Sequence, residues 1–108
     1  MKLTQIEESV FVSGQITIGD LQDIVEQGIK TILCNRPDGE EVDQPSYAEI
    51  NDAAAALGLK SAYIPVSPRG LTQENIDAFA DALGNAPKPI LAYCRTGNRS
   101  AVLFQAAR

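Results

Sequence analysis

Histidine is absent from this 108-residue chain. Its absence removes a Cys–His protease-type dyad, any His-liganded metal site and any histidine general base, so neither a metal nor another cofactor is expected. Apolar runs of membrane-spanning length are also missing, which excludes a membrane span. Basic residues are scarce: nine Lys and Arg face fourteen Asp and Glu, for a formal charge of −5. A nucleic-acid footprint needs clustered cations, and this balance argues against one. The opening Met1–Glu8 shows neither an apolar h-region nor a small-residue cleavage site, so a cytoplasmic setting is expected. Cysteine occurs twice. Cys34 lies in the apolar run Thr31–Cys34 and reads as buried strand, and both thiols are expected to be reduced. A resolving role for Cys34 would require an accessible partner thiol nearby. With no internal repeat, linker or low-complexity segment, residues 1–108 read as a single domain.

What is present is an alternation of short apolar strands with helical patterns, several of which close on glycine. That pattern is the signature of βαβ units and a central, mainly parallel sheet flanked by helices. Val10–Val12 starts a strand, and Gly19–Gln27 reads as a helix with Leu21, Ile24 and Val25 on one face and Gly28 as its stop. Ile29–Asn35 is the second strand. Arg36–Pro45 is a long polar loop, of the kind that often carries function. Ser46 and Glu49 form a capping box for a helix in which Tyr47, Ile50, Ala54 and Leu57 recur until Gly58. Ser61–Val66 reads as the third strand, ended or placed at an edge by Pro65. Thr72 caps a helix with Ile76, Phe79, Ala80 and Leu83 buried, ending at Gly84, and Pro89–Cys94 is the last strand, followed by a helix over Arg99–Arg108. In such sheets ligands bind beyond the C-terminal strand ends. Arg36 and Asp38, Ser67 and Arg69, and the segment Cys94–Arg99 are therefore expected around one mouth.

Cys94-Arg95-Thr96-Gly97-Asn98-Arg99-Ser100 occupies the turn between the last strand and the last helix. Free N–H groups and the positive end of a helix dipole converge there, favouring an anion and lowering a cysteine pKa from about 8.5 toward roughly 3.5–7.5. Cys94 is the candidate nucleophile. Arg99 supplies a planar fork for an oxyanion, and Gly97 permits a positive φ and close backbone approach. Arg95, Thr96, Gly97, Asn98, Arg99 and Ser100 are the candidate anion-binding set. A buried structural cysteine before an ordinary turn is the plainer reading, but the joint occurrence of Cys, Gly, Arg and Ser favours the thiolate site. Asp38 is either a plain turn residue in Pro37-Asp38-Gly39 or a catalytic carboxylate.

The chain resembles the phosphatase-like domain of beta-lactamase hydrolase-like proteins. The matching segments are Val12-Ser13-Gly14-Gln15, Gly28–Ile32, Asn35–Glu40, Ile64-Pro65-Val66, Leu71-Thr72 and Tyr93–Ser100. The resemblance implies a dual-specificity-phosphatase-like α/β fold, with Cys94 matching the nucleophile and Arg99 the anion-binding arginine, and a fused or associated metallo-beta-lactamase-type hydrolase as partner. That wider superfamily places five residues between Cys and Arg, whereas four lie between Cys94 and Arg99. It also tends to carry His before the Cys, where Tyr93 stands, and an Asp acid on the preceding loop, where Ser67 stands. The turn is also similar to the active loop of single-domain rhodaneses, which carry a persulfide on cysteine.

The favoured expectation is sulfane-sulfur transfer through a Cys94 persulfide, with thiosulfate or a persulfide as the small anionic substrate. A phosphate monoester hydrolase working through a cysteinyl-phosphate, with Asp38 or a neighbouring carboxylate as acid, is the alternative. A non-catalytic anion- or partner-binding module is the third.

Overall fold

The computed structural model describes all residues from Met1 to Arg108. Its strands are β1 (Thr4–Glu7), β2 (Val10–Ser13), β3 (Thr31–Cys34), β4 (Lys60–Tyr63) and β5 (Ile90–Tyr93), and its helices are α1 (Leu21–Glu26), α2 (Tyr47–Ala56), α3 (Gln73–Asn85) and α4 (Asn98–Ala107). A short 3-10 turn over Ile18–Asp20 leads into α1. The sheet runs in the order β1-β2-β5-β3-β4. All pairs are parallel except the antiparallel β1–β2 hairpin.

Burial on both sheet faces explains the continuous apolar strands. Successive strand side chains point to opposite faces. Ile32, Cys34, Leu91 and Tyr93 therefore pack with Leu21 and Ile24 of α1 and Ile50 and Ala54 of α2. Leu33, Ile90 and Ala92 join Phe79 of α3 and Leu103 and Phe104 of α4 on the other side. The result is a three-layer α/β/α arrangement, as expected from the sequence.

Of the α3 stripe expected at Ile76, Phe79, Ala80 and Leu83, only Phe79 is fully buried and the others are half-buried, and β4 ends at Tyr63, two residues before Pro65, rather than at Val66. Two further differences from the sequence reading have simple causes. β1 went unread because its Thr-Gln-Ile-Glu sequence offers one half-buried residue, Ile6, on an exposed edge. Gly84 does not stop α3, which continues to Asn85, where the side-chain amide donates back to Asp81 O at 2.9 Å. Capping at Ser46 is as expected: its hydroxyl accepts from Glu49 N at 3.2 Å while Glu49 Oε1 accepts from Ser46 N at 3.2 Å. Both pairings meet free donors of the first helical turn.

The topology positions the site. β5 lies in the middle of the sheet, flanked by β2 and β3. Its C-terminal end is therefore surrounded by the segments that follow β2, β3 and β4, at the place where ligands bind in open parallel sheets.

Candidate active site

Beyond Tyr93 the chain leaves the sheet and turns into α4 within Cys94–Gly97. Gly97 holds φ at 95°, a left-handed conformation that glycine adopts without steric cost. This bend aims the Gly97 N–H at Cys94 Sγ, 3.1 Å away. The end of β2 braces the turn: Cys94 N donates to Ser13 O and Gln15 N to Arg95 O, both at 3.3 Å. A Cβ at Gly14 would stand 3.0 Å from Arg95 O, too close for backbone against backbone.

Cys94 is fully buried, with 0% exposure. Burial opposes ionisation of its thiol, but the N–H groups of Ser100, Thr96 and Gly97 outweigh that cost and hold the pKa below the ordinary thiol value. The Ser100 hydroxyl has a single proton, and it donates that to Asn35 Oδ1 at 2.9 Å. Thiolate stabilisation is thus chiefly a backbone effect. Asn35 in turn donates to Ile64 O at 2.9 Å, tying the start of α4 to the ends of β3 and β4.

Above the sulfur, Arg99 is gripped by a carboxylate. Its Nη1 donates to Glu40 Oε2 at 2.7 Å and to Val66 O at 2.9 Å, and its Nη2 donates to Glu40 Oε1 at 2.8 Å. Arg36 approaches the same carboxylate from the other side, with Nε 3.0 Å from Oε1. Arg36 also donates to Gln15 Oε1 at 3.1 Å and to Glu41 Oε1 at 2.7 Å. The hydrogen bonds from Arg99, followed by those from Arg36, lower the Glu40 pKa to about 2 despite desolvation. Glu40 in turn raises that of Arg99. Arg36, Glu40, Glu41, Pro68, Arg95 and Arg99 line an open cavity of about 420 Å³.

The turn residues Cys94 to Ser100 are together, as their contiguity requires. Arg95 stands at the rim, where Nε lies 3.4 Å from Glu41 Oε1 in an exposed pair. Asn98 N donates to Thr96 Oγ1 at 3.3 Å, which tightens the turn. Asp38 is not brought into the mouth. Its Oδ1 accepts from Tyr47 N at 2.8 Å, satisfying the first free N–H of α2, and its own N–H donates to Tyr63 Oη at 2.9 Å. Among the residues after β4, Pro68 reaches the cavity while Arg69 does not; its N–H donates to Ser67 Oγ at 3.1 Å. Cys34 is buried, donates to Arg36 O at 3.3 Å, and has its pKa raised by that burial. Sequence reasoning missed the brace at Asn35 and the partnership of Glu40 with Arg99. The only local signal for the latter was a pair of carboxylates shortly after Arg36.

Comparison with known proteins agrees with this architecture. Residues 2–108 match the family described as beta-lactamase hydrolase-like protein, phosphatase-like domain. The beta-lactamase hydrolase-like protein of Agrobacterium fabrum is 38% identical over 104 residues, which cover 96% of this chain and 24% of that protein. Its counterpart from Xylella fastidiosa strain Temecula1 is 32% identical over the same proportions. The chain thus spans about a quarter of the length of these relatives. Among solved structures, a candidate phosphatase from Neisseria meningitidis Z2491 superposes with a TM-score of 0.86 at 39% identity, covering 93% of this chain and 71% of that one. The catalytic core of the PP-IP phosphatase Siw14 from S. cerevisiae shares the fold at 18% identity, with a TM-score of 0.74 and coverage of 94% and 60%. The family match runs from residue 2 to residue 108, and this chain belongs to the family of phosphatase-like domains found in beta-lactamase hydrolase-like proteins.

Proposed function

We propose that this phosphatase-like domain transfers sulfane sulfur through a persulfide on Cys94. The observation that carries the reading is a stabilised thiolate whose neighbouring carboxylates, Glu40 and Glu41, are both bound to arginines. Glu40 is ionised, with a pKa of about 2, and Asp38 is engaged at the start of α2. Cleaving a phosphate monoester expels an alkoxide that needs a proton, and general acid catalysis contributes about 100- to 10,000-fold. Sulfane transfer has no such need. The Cys94 thiolate attacks the outer sulfur of a donor such as thiosulfate; a new S–S bond forms, the old one breaks, and sulfite leaves with its electron pair. The terminal sulfur then extends by roughly 2.05 Å beyond the buried Sγ toward the mouth. The turn amides stabilise the persulfide anion as they did the thiolate. A thiolate or cyanide removes the outer sulfur and regenerates Cys94.

Phosphoryl transfer is the second reading, favoured by the family and by the phosphatases that share the fold. It would route through a cysteinyl-phosphate and requires Asp38, Glu40 or Glu41 to leave its present partners and act as acid. A fused or associated metallo-beta-lactamase-type hydrolase, as the resemblance implies, would use or supply the transferred group. Incubation with thiosulfate or an organic persulfide should add one sulfur atom to the peptide containing Cys94, read by mass spectrometry and removed by cyanide. Cys94→Ser should abolish the adduct. Efficient phosphate-ester hydrolysis blocked by vanadate, without any sulfur adduct, would reverse the choice.

A further inference from the structure

We propose that Glu40 determines the charge of the substrate, admitting singly charged sulfane donors such as persulfides (R–S–S⁻) and thiosulfonates (R–SO₂–S⁻) in preference to dianionic thiosulfate. The inference rests on the sulfur-transfer reading and deepens it. Three guanidinium groups and two carboxylates line the mouth. Once the Cys94 thiolate is counted, the formal charges there cancel, so the site lacks the surplus of positive charge that a dianion would need. Glu40 dominates because of its position: it occupies the fork of Arg99 through two hydrogen bonds of 2.7 and 2.8 Å and also accepts from Arg36. The Arg36 side chain is only 3% exposed and that of Glu40 18%, so water and salt screen the cluster poorly. An anion above Cys94 shares Arg99 with this carboxylate. Every negative charge the substrate carries is therefore repelled by Glu40, at a cost of about tenfold or more per unit charge beside so little-exposed a carboxylate.

Thiosulfate and methanethiosulfonate test the idea because they differ by one charge while presenting the same sulfane sulfur. With methanethiosulfonate the Cys94 thiolate bonds to the terminal sulfur, the S–S bond breaks, and methanesulfinate leaves with the electron pair. kcat/KM for both donors, with cyanide as acceptor, would be compared in the wild type, Glu40→Gln and Glu40→Asp. The wild type should favour the monoanion, Glu40→Gln should move the ratio toward thiosulfate by about tenfold or more, and Glu40→Asp should keep the wild-type ratio because it keeps the charge. A parallel measurement needs no sulfur chemistry: protection of Cys94 from iodoacetamide by sulfate compared with methanesulfonate. The same shift in Glu40→Gln is expected there. If Cys94 accepted no sulfur from either donor while the protection ratio shifted, the charge selection would stand and the transfer reading would fall. A protection ratio unchanged in Glu40→Gln, with both anions weakened equally, would overturn the proposal and leave Glu40 as a positioning residue for Arg99. Should Glu40→Gln not fold, Glu41→Gln, which removes a more exposed carboxylate from the same mouth, should shift both ratios in the same direction by a smaller factor; no shift would overturn the proposal.

Discussion

Replacing Gly97 by alanine separates the backbone's two tasks at the turn, reversing the chain and solvating the thiolate. Gly97 has φ at 95°, and a Cβ there would stand 3.4 Å from both C and O of Ser13, backbone atoms that have no side chain to swing aside. The left-handed conformation alone costs an L-residue about 1–2 kcal/mol. The same cost applies at Gly28, where φ is 91° and a Cβ would meet nothing within 4 Å. Gly28→Ala is therefore the control: similar conformational strain, remote from the sulfur. In Gly97→Ala the strained backbone is expected to relax and carry its N–H away from Sγ, lengthening the 3.1 Å contact. A hydrogen bond to a charged group contributes about 1.5–3 kcal/mol, and one pKa unit corresponds to about 1.36 kcal/mol. The Cys94 pKa should then rise in Gly97→Ala and stay fixed in Gly28→Ala, while urea unfolding shows both variants destabilised. Rates of iodoacetamide alkylation against pH, read on the Cys94 peptide, measure the first quantity. An unmoved thiol pKa in Gly97→Ala, with stability lost as in the control, would refute the claim that this amide holds the thiolate.

Two further outcomes follow from the carboxylates of the β3–α2 loop. Asp38→Ala should destabilise the fold by roughly 1 kcal/mol, the usual scale for a lost helix N-terminal acceptor, whereas Asp38→Asn retains an acceptor for Tyr47 N and should lose less in urea titrations. Sulfur loading should survive in Asp38→Asn, and its loss with the fold intact would return Asp38 to the reacting groups. For Glu40, the folded pKa of about 2 lies below the usual 4.5. The stabilisation from its ionised form is therefore complete above about pH 4.5 and is lost as pH falls toward 2. The urea midpoint of the wild type should exceed that of Glu40→Gln at pH 7, with the gap narrowing on acidification; a gap independent of pH would contradict the assigned ion pair.

Contiguous signals carried most of what the sequence revealed. β3 and β5 are uninterrupted apolar runs because both sheet faces are covered, and the Ser46–Glu49 box marks the start of α2 because its partners are three residues apart. The cysteine turn was legible for the same reason: sulfur, glycine and arginine sit within one turn of chain. What remained hidden depends on tertiary contact. Glu40 and Arg99 are separated by 59 residues, and nothing local to either announces the other. Asn35 reads as the tail of a strand, yet its side chain joins Ser100, 65 residues onward, to the end of β4. Asp38 shows the converse difficulty. A carboxylate on a loop near an anion site suggests an acid, but the fold uses it locally to cap the backbone of the helix that follows.

The contact between Glu40 and Arg99 also bears on how one fold can serve two chemistries. A cysteine-phosphatase cradle must bind a dianionic phosphoryl group and protonate what leaves. Here the arginine that would hold that group already grips a carboxylate in both arms of its fork, which offsets its charge. The same interaction keeps the carboxylate ionised far below neutral pH, so Glu40 in this arrangement has no proton to give. One ion pair thus weakens both requirements of phosphate-ester cleavage while leaving the backbone amides that stabilise a sulfur anion untouched. Thiolate attack on a sulfane sulfur needs those amides and a leaving group that is already a stable anion, and it needs no proton. On the proposed sulfur-transfer reading, the shared fold supplies the cradle, and the carboxylate paired with Arg99 is the feature that disfavours phosphate-ester cleavage there.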